Sequence, residues 1–157
     1  MESTGNGTGT RLDSAVEWTG YLGVAPLVLC LAGVGLAPAY PVRELAQRSA
    51  IAWGAALLGF AGAVHFGLAL AGRLPWGRAR IGAALAPALV GAAAVVTGGQ
   101  HGLALLVAGC GVFGLYEHRR LGPQLPQGYL SLRRQLTLAT CLLLALTMFV
   151  SDAAGLG

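Results

Sequence analysis

The sequence predicts an all-α integral membrane protein, a bundle of five transmembrane helices with its N-terminus inside and its C-terminus outside. Three observations carry this. The 157 residues are 55% hydrophobic and only 10% charged, whereas soluble domains are about a quarter charged. Apolar runs read as spans recur five times along the chain, and the longest, 49–72, reaches ~36 Å at ~1.5 Å per residue, enough to cross a hydrocarbon core of ~30 Å. The charges between those runs are distributed unequally. All ten cations are arginines, and when the apolar runs are threaded alternately, eight of them (Arg11, Arg73, Arg78, Arg80, Arg119, Arg120, Arg133 and Arg134) fall on one side and only Arg43 and Arg48 on the other. Such an excess marks the cytoplasmic face. The formal charge of +4 therefore implies orientation in a bilayer and no nucleic-acid partner, because the arginines sit in short segments beside apolar spans.

Residues 1–18 are polar, rich in Gly, Ser and Thr, and read as a disordered tail. Its GNGTGT run lacks the strand before it and the Lys-Ser/Thr after it that a phosphate loop needs. The first span is 19–37. Ala37-Pro38-Ala39 mimics a signal-peptidase site, but the preceding tail is acidic and the apolar run exceeds the ~7–15 residues of a signal h-region, so the segment is read as a retained span. Pro26 bends it, and Pro38 and Pro41 end it. A short loop from Ala39 to Arg48 follows.

The second span, 49–72, is the one around which the others are arranged. Its 24 residues contain a single ionisable side chain, His65. Ala55, Gly59, Ala63 and Gly67 repeat at every fourth position, a stripe that lets another helix approach backbone to backbone, as helices do in lipid. His65 lies on the adjacent face and, as a polar ring in a span, is expected to face protein or trapped water. An arginine-rich turn with Pro75 and Trp76 leads to the third span, 81–96, which carries Pro87. Thr97-Gly98-Gly99-Gln100 makes a tight turn into the fourth span, 101–116. The segment Glu117–Gln135, broken by Gly122-Pro123 and Pro126, is the longest connection, with helix resuming near Tyr129. The last span is 136–154. Five spans of ~20 residues consume roughly two-thirds of the chain and leave no room for a soluble catalytic domain.

Two stretches carry a likeness. LLGFAGAVHFGLAL at Leu57–Leu70 has a Gly-rich helix with His65, Phe66 and Gly67 in succession. LPQGYLSLRRQLT at Leu125–Thr137 leads into the last span through Pro126, Tyr129, Leu132 and Arg133. Together they resemble the small bacterial and mitochondrial membrane proteins typified by transmembrane protein 69, a family of uncharacterised function. The layout agrees from about Tyr21 to Val150. The chain departs from the family pattern at Phe66, where Trp is usual, at Gly128, where an aromatic is usual, and at Glu117, where an aspartate closes the fourth span. The resemblance implies the five-span fold and supplies no reaction.

The residues offer one candidate polar site. His65 lies nearer the arginine-rich end of its span, and Glu117, Tyr129 and Arg133 belong at the same membrane face, so the four form a polar pocket at the cytoplasmic mouth of the bundle. A histidine at that depth serves as a hydrogen-bonding strut, a proton relay or a ligand. No HExxH or CxxC spacing, paired carboxylates or nucleophile–base pair is present, so no catalytic or metal-ligating residue is assigned and an enzyme is disfavoured. Gly109–Gly114 spells GxGxxG inside an apolar span, where close helix packing explains it. Cys30, Cys110 and Cys141 lie in apolar segments and act as small hydrophobes. Three functions stay open: a non-enzymatic accessory or assembly subunit of a membrane complex, a small proton-linked carrier or channel using His65, and a quinone- or haem-binding protein. The partners expected are the lipid bilayer and other membrane subunits. The location expected is a bacterial cytoplasmic membrane, and the cofactor is left unknown.

Overall fold

The computed structural model describes residues 14–72, 77–121 and 127–156, and within them the only regular secondary structure is five α-helices. They are α1 (Ser14–Leu36), α2 (Tyr40–Leu70), α3 (Arg78–Thr97), α4 (Gly99–Leu121) and α5 (Gln127–Ala153). Consecutive helices run in opposite directions, so the start of α1 meets the start of α5 (Gly20 on Leu136) and the end of α1 meets the end of α5 (Gly35 on Val150). The helices close into a ring, α1 on α2, α2 on α3, α3 on α4, α4 on α5 and α5 on α1, and α2 also reaches across to α4 and α5. Large apolar side chains cover the outside: Leu29, Leu36, Leu89, Val96 and Phe149 are all exposed. In water such a surface would aggregate. By length and composition α1, α2, α4 and α5 each contain a segment able to cross a membrane, while the apolar part of α3, Ile81–Thr97, is shorter.

Every helix runs beyond its apolar segment. The segment Ala39–Arg48, expected as a loop, is the first three turns of α2. Tyr40 opens that helix, and Pro41 occupies its first turn, where a missing N–H removes no intrahelical bond. Much of Glu117–Gln135, expected as a long connection, is the last turn of α4 and the first turns of α5, with residues 122–126 outside the description. Helix α1 likewise begins at Ser14, inside the stretch read as tail. The apolar window marks where lipid would touch the chain, but the backbone ladder continues into the polar margin. Between α1 and α2, Arg43 Nε donates to the Ala37 carbonyl at 2.6 Å and supplies a donor to the carbonyl end of α1.

The tight turn between α3 and α4 is present and is a glycine device. Gly98 takes φ 64° and ψ −175°, and Gly99 takes φ 51°. The first combination is essentially closed to any residue with a Cβ.

Close packing falls on a different stripe of α2 from the expected one. Of Ala55, Gly59, Ala63 and Gly67, only Ala55 meets a neighbour, through Gly91 of α3. No atom lies within 4 Å of where a Cβ on Gly59 or Gly67 would stand, and Ala63 is exposed. The face turned inward is Gly54, Leu58, Ala61, Gly62 and His65. A Cβ on Gly62 would collide with the Ala84 carbonyl oxygen of α3, and one on Gly54 would sit 3.0 Å from Leu106 and 3.1 Å from Leu144. His65 decides the matter: a ring that must be kept from lipid turns its own face inward, and the four-residue stripe, about a third of a turn away, is left outside.

Gly62→Ala should therefore lower the thermal unfolding midpoint in detergent, by the ~1–3 kcal/mol that overpacking costs. Gly59→Ala should leave it unchanged or raise it slightly, since removing a mid-helix glycine gains ~0.5–1 kcal/mol. Equal midpoints for the two variants would contradict this packing.

Candidate functional site

Three helix ends converge at one pole of the bundle, the C-terminal parts of α2 and α4 and the N-terminal part of α5. Alternating helix direction puts them there, and each delivers one polar group. Glu117, near the end of α4, is 7% exposed, and His65, five residues before the end of α2, is 6% exposed. Arg133, in the second turn of α5, donates from Nε to Glu117 Oε2 at 3.0 Å. The other carboxylate oxygen, Oε1, lies 3.7 Å from His65 Nδ1. That ring nitrogen is 3.2 Å from the Ala61 carbonyl, one turn back in the same helix. A carbonyl can only accept, so in this hydrogen bond Nδ1 is the donor to Ala61. His65 Nε2 is buried without a hydrogen-bond partner among the described residues. Phe113 meets the imidazole edge-on, with ring centroids 5.1 Å apart and planes at 68°, and Tyr116 flanks it at 6.4 Å. The ring is held by two aromatics from the helix that also carries Glu117.

The charges balance. The Glu117 carboxylate and the Arg133 guanidinium cancel, and the imidazole stands against the carboxylate's other oxygen. Separating them would be costly: removing one partner of a buried ion pair typically costs ~3–5 kcal/mol, because the other charge stays behind unmatched. The arrangement thus ties α2, α4 and α5 together at this pole.

Beside the triad runs a groove of about 560 Å³, open along one side and lined mainly by apolar residues of α1, α2 and α5. Arg133 forms part of its wall, together with the hydroxyl-bearing Thr137 and Thr140 on the same face of α5. Thr137 Oγ1 donates to the Arg133 carbonyl at 2.9 Å. Thr140 is buried.

Of the four residues expected at this pole, Glu117 stands against both His65 and Arg133, one carboxylate oxygen toward each. Tyr129 belongs to the first turn of α5, but its side chain lies outside the described residues. Phe113, Tyr116, Thr137 and Thr140 were not singled out by sequence. A signal existed for the last two: Arg133, Thr137, Thr140, Thr147 and Ser151 follow one another at four, three, seven and four residues, a single polar stripe on an otherwise apolar helix. A second polar group stands at the far pole, where Gln100 Nε2 donates to the Met148 carbonyl at 3.0 Å and Gln47 Nε2 to that of Leu156 at 3.4 Å. Among the described residues no group of three His, Cys, Asp or Glu gathers as a metal site would require.

A family model described as protein of unknown function (DUF3429) matches residues 12–149, a span that includes all three members of the triad. No curated protein and no solved structure matches the chain.

If the triad is a unit, its members should not act additively. Glu117→Gln and Arg133→Gln should each lower the unfolding midpoint. The double variant should cost at least ~1 kcal/mol less than the two single costs summed, as contacting residues in one network do. A double-mutant cycle by thermal unfolding in detergent measures this, and strict additivity would count against the ion pair.

Proposed function

The chain belongs to the family described as protein of unknown function (DUF3429), and from that premise and the geometry we propose that it is a non-enzymatic accessory or assembly subunit of a larger membrane complex. In this reading all five helices span a bacterial cytoplasmic membrane, N-terminus in and C-terminus out, with α3 as the short span and the triad at the cytoplasmic pole. The arginine asymmetry and the alternating helix directions support that orientation.

One observation carries the assignment. Gly59, Ala63 and Gly67 present a small-residue stripe on the outside of α2, with open space where Cβ atoms on the two glycines would stand. Inside a bundle such stripes are consumed by the neighbouring helix, as Gly62 and Gly91 are here. Left outside, the stripe offers a partner's transmembrane helix the same backbone approach. Interior packing speaks against the proton-linked carrier. Leu27, Leu103, Leu106 and Leu144 are wholly buried, and they fill the layer between the triad and the far polar group. A relay from His65 to the other face would have to cross them.

Native mass spectrometry of the protein released from its own membrane in mild detergent tests this. The expected result is a stoichiometric second polypeptide that is lost in Ala63→Leu and retained in Leu138→Ala, a change on the exposed face of α5. A bare monomer, or a homo-oligomer indifferent to Ala63, would overturn the reading.

A further inference from the structure

We propose that the groove between α1, α2 and α5 binds the head of a membrane quinone, an uncharged ring with carbonyl acceptors, whose hydrocarbon tail leaves through the open side.

The donors are the first reason. Arg133 gives its Nε–H to Glu117, and none of its other N–H groups is paired with the protein among the described residues. The residue nevertheless lines the groove. A guanidinium carries five N–H donors, so the terminal ones remain for a ligand. Thr140 places a hydroxyl on the same wall, two turns further along α5, and among the described residues no group accepts from or donates to it.

The charge is the second reason. Glu117, 3.0 Å from Arg133, cancels the guanidinium charge, so the wall offers hydrogen-bond donors without a net positive field. A phosphate would have to compete with the carboxylate for Arg133, whereas a carbonyl accepts from the outer N–H groups and leaves the ion pair intact. Depth points the same way. Thr140 stands about 10 Å beyond Arg133 along the helix at ~1.5 Å per residue, well past the level at which a lipid phosphate would stop. A flat ring lying between them reaches both donors from opposite sides.

Size and lining are the third. About 560 Å³ falls within the ~300–1,000 Å³ of small-molecule sites, which are concave, largely apolar and marked by a few polar groups, and which form between the helices of bundles. Phe60 and Phe113 flank the groove and give a ring aromatic surfaces to lie against. On α2 the groove centres on Leu57, Ala61 and Val64, about a third of a turn from the Gly59–Ala63–Gly67 stripe, with Phe60 between the two faces.

The test is a titration of the full-length protein in detergent with decyl-benzoquinone, read by quenching of tryptophan fluorescence. Trp53 donates to the carbonyl of Gly23, a groove residue, at 2.8 Å, so a bound quinone stands close to it. Wild type should show saturable quenching. Thr140→Val keeps the side-chain shape and the ion pair, and should raise Kd about fivefold or more, the worth of one hydrogen bond, without moving the unfolding midpoint. Val64→Trp fills the groove and should abolish saturation, while Ala63→Leu on the outward stripe should leave it as in wild type. Quenching that is linear in quinone and the same in every variant would mean partitioning into the micelle only, and would overturn the proposal. So would tightly held phospholipid that the quinone does not displace.

Discussion

Apolar helices whose outer surfaces are leucine and valine gain little from associating in lipid except through the closeness of their contact, and that constraint organises this chain. One face of α2 answers it. Gly54 admits Leu106 and Leu144, Gly62 admits the backbone of α3 at Ala84, and Ala55 seats Gly91. With those approaches made, α2 touches each of the other four helices. Remove the space at Gly62 and α3 must move away; the tight Gly98–Gly99 turn, which has no length to spare, would then draw α4 after it. The ring closes because its longest helix is thin where the others cross it.

The same orientation of α2 brings His65 against α4, and from that contact the polar pole follows. A carboxylate as buried as Glu117 requires a counter-charge, and Arg133 supplies it from α5. The imidazole fills the remaining side, its Nδ1 hydrogen-bonded to the Ala61 carbonyl and 3.7 Å from the carboxylate. Aromatic side chains of α4 shield the ring. A neutral assembly of charged parts is what a weakly polar environment tolerates, and the neutrality selects what can bind beside it. Acceptors without charge are favoured over anions.

Much of this was legible in the residues. Apolar runs separated by arginines gave the number of helices and their alternation. The lone ionisable residue in the second run led to His65, and placing Glu117 and Arg133 at the same pole needed only topology. What was not legible has physical causes. Helix ends were misjudged at Ala39–Arg48 and Glu117–Gln135, because hydropathy reports contact with lipid while the backbone ladder ignores the boundary. Which face of α2 packs within this chain was not legible, because Ala55, Gly59, Ala63 and Gly67 satisfy the spacing for close approach as well as Gly54, Leu58 and Gly62 do. Only the need to bury a polar ring distinguishes the two faces. The groove could not be seen at all, since it is space left between α1, α2, α4 and α5 and belongs to none of them.

The polar stripe of α5 shows why the two poles act separately. Arg133, Thr137 and Thr140 lie on one side of Leu144 and Thr147 and Ser151 on the other, all on one face. At Leu144 the face turns apolar and is wholly buried against Gly54 and Leu106. A continuous polar column would have carried water or protons from pole to pole; one leucine in register interrupts it. Thr147 turns its hydroxyl back onto the Leu143 carbonyl at 2.8 Å, consuming the donor within its own helix. A ligand that reaches Arg133 therefore comes from the pole itself or sideways through the open groove, and the second path admits only molecules already dissolved in the bilayer.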